Sequence, residues 1–485
     1  MHTGWKETAK QYEAEYLETL KAFLAINSIE DMRTARAGKP FGEGVAEALD
    51  FMLELGRQDG FHTKNLEGYA GYIEYGEAEE MIGILVHVDV VTVGDDWTTP
   101  PFSPDIRNGR IYARGAIDDK GPALAAYYAL KMVKDSGVPL SKRVRFIIGT
   151  DEESGWLCMK RYNELEQMPE TGFSPDAEFP LIHAEKGQIN PTLTLDEQRF
   201  APAEAFAADP AKAEDDGDWV LSHFVSGDQG NSVPEKATAL ITVPVGVDRD
   251  ELAAEFQLFL QHQQLTGEVT FPAPQQVRFF LKGVSVHGME PYNGINAGTT
   301  LARFLSVRPF ASRDKAFLHF LGEVLHQDYY GEKLGVACED EVTGKLTVNP
   351  GILRYDRAEG AEVKLNIRYP ATVSMEERRD IVEQQLARFG WTTTNMRTSK
   401  AHYVPADHPT VEILAKVYEQ HTGQKASLLS TGGATYAKMM PAGVAYGAVF
   451  PGKEGTAHQK DEYAEIGDLL AAMAIYAHAI SELAK

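Results

Sequence analysis

Cysteine is scarce. The chain of 485 residues has two, Cys158 and Cys338, with no CxxC or comparable thiol spacing. That excludes a disulfide framework and a zinc ribbon. Bases are short as well: 47 Lys and Arg stand against 71 Asp and Glu, a formal charge of −24. A phosphate backbone needs Lys and Arg clustered on one face, so no nucleic-acid partner is expected. No apolar run is long enough for a membrane span, so no membrane association is expected. The opening stretch MHTGWKETAKQYEAEYLETLKAFLAI is charged and amphipathic. It lacks a basic n-region, an apolar h-region and a small-residue cleavage site. These absences point to a cytoplasmic protein.

Apolar residues make up 43% of the chain, enough for folded cores. The length favours more than one domain. Helix and strand alternate up to residue 187, as in an α/β domain. Amphipathic helices are expected over 5–26 and 44–57, and buried strands over 81–91 and 142–150. A helix over 121–137 has Pro122 near its start and Gly137 as its stop. The stretch 200–219, rich in Ala, Asp and Glu, reads as a surface excursion. Two later stretches share a plan. Residues 236–263, KATALITVPVGVDRDELAAEFQLFLQHQ, and 361–390, AEVKLNIRYPATVSMEERRDIVEQQLARFG, each run an alternating strand into a helix. Two similar α+β halves packed together make one inserted domain. The α/β character returns from His402, and a long apolar-faced helix over 466–484 closes the chain. The expected architecture is an α/β domain built from 1–187 and 396–485, interrupted by a second domain over 188–395.

Carboxylates and imidazoles gather at the ends of the expected strands, where such sheets place their sites. In LVHVDVV, His87 and Asp89 share one strand face, because side chains repeat every two residues. An imidazole beside a carboxylate suits a supported metal ligand; a buried histidine bonded to aspartate for structure has the same pattern. Asp118 and Asp119 precede a helix, and one of them suffices as an N-cap. Asp151, Glu152 and Glu153 follow the buried strand RVRFIIG without a base among them. Asp176 follows Ser-Pro, an ordinary turn start. His458 lies in a Gly-rich loop before the last helix. Each is weak alone. Together they offer two imidazoles and several carboxylates from one domain. That mixture suits zinc, manganese or cobalt, whereas calcium prefers oxygen alone. The carboxylates exceed the needs of one tetrahedral ion, which points to two metals sharing a bridging carboxylate.

The ordered set HVDVV, GRIYARGAIDDKGP, TDEESG, PDAEFP and GTAHQKDE resembles the di-zinc exopeptidases that include carnosinases, carboxypeptidase G, aminoacylases and succinyl-diaminopimelate desuccinylase. The likeness spans nearly the whole chain. It implies a zinc-exopeptidase-like catalytic domain, a mixed sheet flanked by helices, with an inserted α+β lid domain of two similar halves. It implies two Zn2+ per chain, with Co2+ or Mn2+ as alternatives. His87 and Asp176 would hold one ion, Glu153 and His458 the other, with Asp118 as the bridge. Glu152 would be the general base, and Asp89 would orient His87. In the lid, His287 of VSVHGMEP would polarise the scissile carbonyl, and Arg368 of LNIRYP would anchor a substrate carboxylate. Asn231 of GNSVPEKA, and Gly433 and Thr435 of STGGATYAK, would be further substrate contacts. The implied activity is hydrolysis of dipeptides with a free C-terminal carboxylate. Deacylation of N-acyl amino acids, tripeptide cleavage and desuccinylation are rivals that metal ligands alone do not separate. A non-catalytic binding protein would show a damaged ligand set or no Glu152. The second lid half resembles one that replaces a partner subunit, so a monomer is expected.

Overall fold

The computed structural model describes residues 4–195 and 219–485. The expected excursion over 200–219 lies outside them apart from Trp219. The chain divides into two compact units, residues 1–184 with 402–485, and residues 185–401.

The first unit is built on a nine-stranded mixed sheet. Its interior strands are parallel. Met81–His87 runs between Arg143–Gly149 and Thr171–Ser174, and Ala442–Ala445 extends the parallel set. Antiparallel strands flank them: Ala70–Tyr75 and His62–Leu66 on one side, Leu181–Glu185 on the other. The continuous apolar run MIGILVH is the mark of a strand covered on both faces, and every residue of it is buried.

Three helices pack together on this sheet: Trp5–Leu24, Lys120–Ser136 and Ile466–Leu483. The middle one is buried along nearly its whole length and ends at Gly137 in the left-handed region, φ 65°. Tyr16 donates its hydroxyl to Gly121 O at 3.0 Å and meets the Tyr128 ring edge-on at 5.6 Å. Ile466–Leu483 has the length and apolarity of a membrane span, yet 61% of it is buried inside the unit.

Lys120 is the unusual member of this core. Burial lowers its pKa to about 7. Its Nζ donates to Phe23 O at 3.2 Å and Ile26 O at 2.7 Å. It thereby serves carbonyls at the end of Trp5–Leu24, which a helix cannot satisfy internally. Lys120→Met keeps the apolar stem and strips these acceptors, so it should cost about 1–3 kcal/mol. Thermal and urea melts measure this; a wild-type melting temperature would refute it.

The second unit holds an eight-stranded antiparallel sheet. From one edge the strands are Thr266–Thr270, Gln276–Lys282, Lys236–Thr242 and Val220–Ser226. From the other they are Trp391–Ser399, Gly187–Leu195, Gly360–Tyr369 and Thr347–Asp356. In each half the third strand from the edge feeds a helix that returns as the edge strand. The helices are Arg249–Gln263 and Met375–Arg388. Both are capped by side chains: Asp248 accepts from the N–H groups of Asp250 and Glu251, and Ser374 from that of Glu377. The repeated strand–helix plan in the sequence is thus a repeated unit of the sheet. Helices Ala297–Ser306 and Ser312–His319, which the sequence reading did not identify, complete this core.

Candidate metal centre

The carboxyl ends of the parallel strands carry most of the site. His87 closes Met81–His87, Glu152 and Glu153 follow Arg143–Gly149, and Asp176 follows Thr171–Ser174. Asp118 arrives on the turn before Lys120–Ser136, and His458 on the loop before Tyr463–Glu465. His458 has a left-handed backbone, φ 63°, uncommon for a non-glycine residue.

These residues form one cluster. Asp118 directs Oδ1 to His87 Nε2 at 3.1 Å and Oδ2 to His458 Nε2 at 3.0 Å. Asp176 Oδ2 lies 3.6 Å from His87 Nε2, and Glu153 Oε2 3.1 Å from His458 Nε2. Ligand atoms of His87, Glu152 and Asp176 fall within 4.8 Å of one another, as do those of His87, Asp118 and Glu153. By distance alone Glu152 is as eligible a ligand as Glu153.

Asp89 stands behind His87. The imidazole Nδ1 lies 3.0 Å from Asp89 O and 3.5 Å from Asp89 Oδ1. Nδ1–H directed at Asp89 O turns Nε2 towards the cluster, where its lone pair would serve a cation once Nε2 gives up its proton. Asp89 Oδ2 also accepts from the Glu153 N–H at 3.1 Å.

The electrostatics are those of excess negative charge. Burial pushes the Glu152 carboxyl well above the usual range, and Asp176, Glu153 and Asp118 add to this. Burial and Asp118 raise Glu153 to about 7, and the same two causes raise Asp176. Burial works against charge on Asp118, but His458 and His87 outweigh it and hold its pKa low. Contacts with Asp118 and Glu153 lift His458 to about 11. Burial opposes the charged form of His87, yet the carboxylates of Asp118, Asp176 and Asp89 hold it well above 6.5. Two carboxylates 4–5 Å apart repel by about 3–4 kcal/mol at an effective dielectric near 20. Divalent cations relieve that repulsion, and the converging imidazole and carboxylate donors are the borderline set such ions take. The residues therefore fit a metal centre.

The sequence reading left several contributors without a role. Asp119 holds the N-cap position but makes no side-chain cap bond. Its Oδ2 instead accepts from the His87 N–H at 3.3 Å, and its buried Oδ1 has no hydrogen-bond partner among the described residues. Asp151, which had no assigned role, accepts from Leu157 N at 2.8 Å and Cys158 N at 2.9 Å. It ties the acidic run to the helix Leu157–Leu165. Tyr436 meets the His87 ring edge-on at 6.3 Å, and its hydroxyl contacts Cys158 Sγ at 2.8 Å. Thr435 caps the short helix Tyr436–Met439, and Gly433 N donates to Thr431 Oγ1.

His287, Asn231 and Arg368 belong to the second unit. Asn231 O accepts from Gly288 N at 2.6 Å, which sets Asn231 beside His287. Arg368 is 3% exposed, and burial lowers its pKa to about 10. Its Nε donates to Asn366 Oδ1 at 3.0 Å, Asn366 donates to Asn190, and Asn190 to Gln188.

Known proteins share this arrangement of sequence and fold. A family model described as peptidase family M20/M25/M40 matches residues 83–482. A Bacillus subtilis protein named "Putative dipeptidase YtjP" is 48% identical over 486 residues, covering 99% of this chain and all of that one. A Staphylococcus epidermidis protein of the same name without the YtjP label is 39% identical over 479 residues, 99% of each chain. Human carnosine dipeptidase 1 has the same fold, with a TM-score of 0.54 at 14% identity, covering 99% of this chain and 98% of that one. With a match across most of its length and full-length relatives well above 30% identity, the chain belongs to peptidase family M20/M25/M40.

Proposed function

We propose that the protein is a metal-dependent dipeptidase acting on dipeptides with a free C-terminal carboxylate. The observation that carries this is Asp118, with one carboxylate oxygen toward each of two imidazoles. That is the disposition of a ligand shared by two cations. The dipeptidase names of the full-length relatives support the substrate class.

His87 and Asp176 would hold one ion, Glu153 and His458 the other, and Asp118 both. Zinc fits, and cobalt or manganese fits the same donors. Bound metal supplies Lewis acidity toward the scissile carbonyl and makes water a better nucleophile near neutral pH. Glu152 takes the proton of the attacking water and returns it to the leaving amine. Asp89 keeps the His87 tautomer and ring in place. His287 donates to the developing oxyanion. Arg368 forks onto the substrate carboxylate, with Asn231, Gly433 and Thr435 as further contacts. Such an anchor measures length, favouring one residue beyond the scissile bond. The duplicated half of the second unit supports a monomer, and the two free cysteines fit a cytoplasmic setting.

Metal analysis coupled to a panel of dipeptides, tripeptides and N-acetyl amino acids tests the reading. Faster turnover of tripeptides or N-acetyl amino acids than of every dipeptide would overturn it. For Arg368→Ala the expected loss is about 1.5–3 kcal/mol, roughly 10–150-fold in kcat/KM, on free-carboxylate dipeptides and little on their amides. Equal losses on both would remove the anchor.

A further inference from the structure

Four residues beyond His458, in the same loop, lies Glu462. It is 0% exposed. Its Oε2 accepts from Arg114 Nη1 at 2.7 Å and Gly115 N at 3.1 Å. Its Oε1 accepts from Ile117 N at 2.9 Å and Asp118 N at 3.1 Å. Its backbone carbonyl accepts from Ala113 N at 3.1 Å. Every residue of 113–118 except Ala116 is strapped to this one buried side chain or its backbone. Arg114 is itself 2% exposed, with Nη2 donating to Thr92 O at 3.3 Å and its guanidinium 5.1 Å from the Trp97 ring centre.

Stability alone explains this poorly. A buried ion pair is often no more stabilising than apolar residues of similar volume, because desolvation offsets the attraction. Location explains it better. The strap ends on the backbone of Asp118, whose two oxygens face His87 and His458, and it starts from the loop that carries His458. The two segments are more than 340 residues apart in sequence, and Glu462 bonds one to the other. We propose that Glu462, with Arg114 as its counter-ion, is a positioning residue. It sets how Asp118 stands between the two imidazoles, and so the affinity of the ion held by Asp118, Glu153 and His458. The inference rests on the metal-centre reading above.

The test is titration of the full-length metal-free protein with Co2+, read by its visible absorption and by calorimetry, alongside melting curves. Glu462→Gln presents an amide NH2 where a carboxylate oxygen had accepted two donors. The expected result is two Co2+ per wild-type chain, with one of them bound about 10–100-fold less tightly in Glu462→Gln and its absorption band altered. At saturating Co2+, kcat should fall while KM for the dipeptide holds. Arg114→Lys, which keeps the charge but not the fork, should move in the same direction by less; it decides the matter if Glu462→Gln does not fold. Wild-type Co2+ affinities and spectrum in a folded variant, with only the melting temperature lowered, would overturn the positioning role. Failure of the wild-type protein to take up two Co2+ would instead refute the metal-centre reading beneath it.

Discussion

Glu152→Gln should lower kcat by about 10²–10⁴-fold while metal content and KM stay near wild type. The glutamine has the same size and keeps one acceptor oxygen, but it cannot hold a proton at neutral pH. Glu152 and Glu153 are adjacent, yet Glu153 contacts His458 while Glu152 groups with His87 and Asp176. Burial and the neighbouring carboxylates raise the Glu152 pKa. A carboxylate of raised basicity accepts a proton from water more readily than an ordinary one. Because Glu152 is also within ligand distance, metal analysis of the variant decides between roles. Loss of one ion together with activity would make it a ligand; full metal content with lost turnover makes it the base.

Removal of metal should abolish turnover, and Zn2+, Co2+ or Mn2+ should restore it to differing extents. The stability of the metal-free protein should also acquire a distinctive pH dependence. Glu153 has a folded pKa of about 7 against 4.5 for the free group. Between those values the folded state holds a proton that the unfolded state has lost, so stability falls as pH rises. Glu152 and Asp176 are raised as well and act in the same sense. His458 is raised from 6.5 to about 11, so its contribution is complete below 6.5 and declines as pH climbs towards 11. Asp118 is lowered, and its contribution disappears only in strong acid, below 3.8. Across pH 5–8 the metal-free melting temperature should therefore drop as pH rises. Bound metal, which needs deprotonated ligands, should flatten or reverse that slope. Equal melting temperatures of the metal-free protein at pH 5 and 8 would show that the cluster carries no such charge strain.

Two of the four parallel strands, Met81–His87 and Arg143–Gly149, were legible because their residues are mostly apolar; Thr171–Ser174 and Ala442–Ala445 are too short and too poor in large apolar residues to stand out. MIGILVH and the VRFII of Arg143–Gly149 have the length and β-branched content of strands covered on both faces. The helix Lys120–Ser136 announced itself through Pro122 and Gly137. The two strand–helix repeats of the second unit were visible as a shared pattern. Helices Ala297–Ser306 and Ser312–His319 were not, since flanking Gly, Ser and Arg masked their short apolar faces. At the centre, residues that end strands could be picked out by position. Asp118 and His458, on a turn and a loop, were picked out by residue type and motif, but Glu462 was not. Glu462 sits in a polar run, HQKDE, with no periodicity to mark it as buried. Its partners are near residue 115, and no local pattern records such a contact. Asp119 and Asp151 were visible as members of acidic runs, and only the fold shows what each carboxylate contacts.

The centre draws His87, Asp118, Glu153 and Asp176 from the first part of the chain and His458 from its last 30 residues. Between them the ribosome must make the whole second unit, residues 185–401. At about 5–20 residues per second that takes roughly 10–45 s. Through this interval the helix Lys120–Ser136 waits for Ile466–Leu483, its principal neighbour, and the apolar face that packs on it has no native cover. The second unit has its own core and can fold while the first is still open. Birth order thus lets the metal centre be completed only after the second unit has been made. A nascent chain stalled before His458 would present the carboxylates without their second imidazole. Chaperone dependence during synthesis, more than refolding of the finished protein, is where this split domain would feel the cost of its insertion.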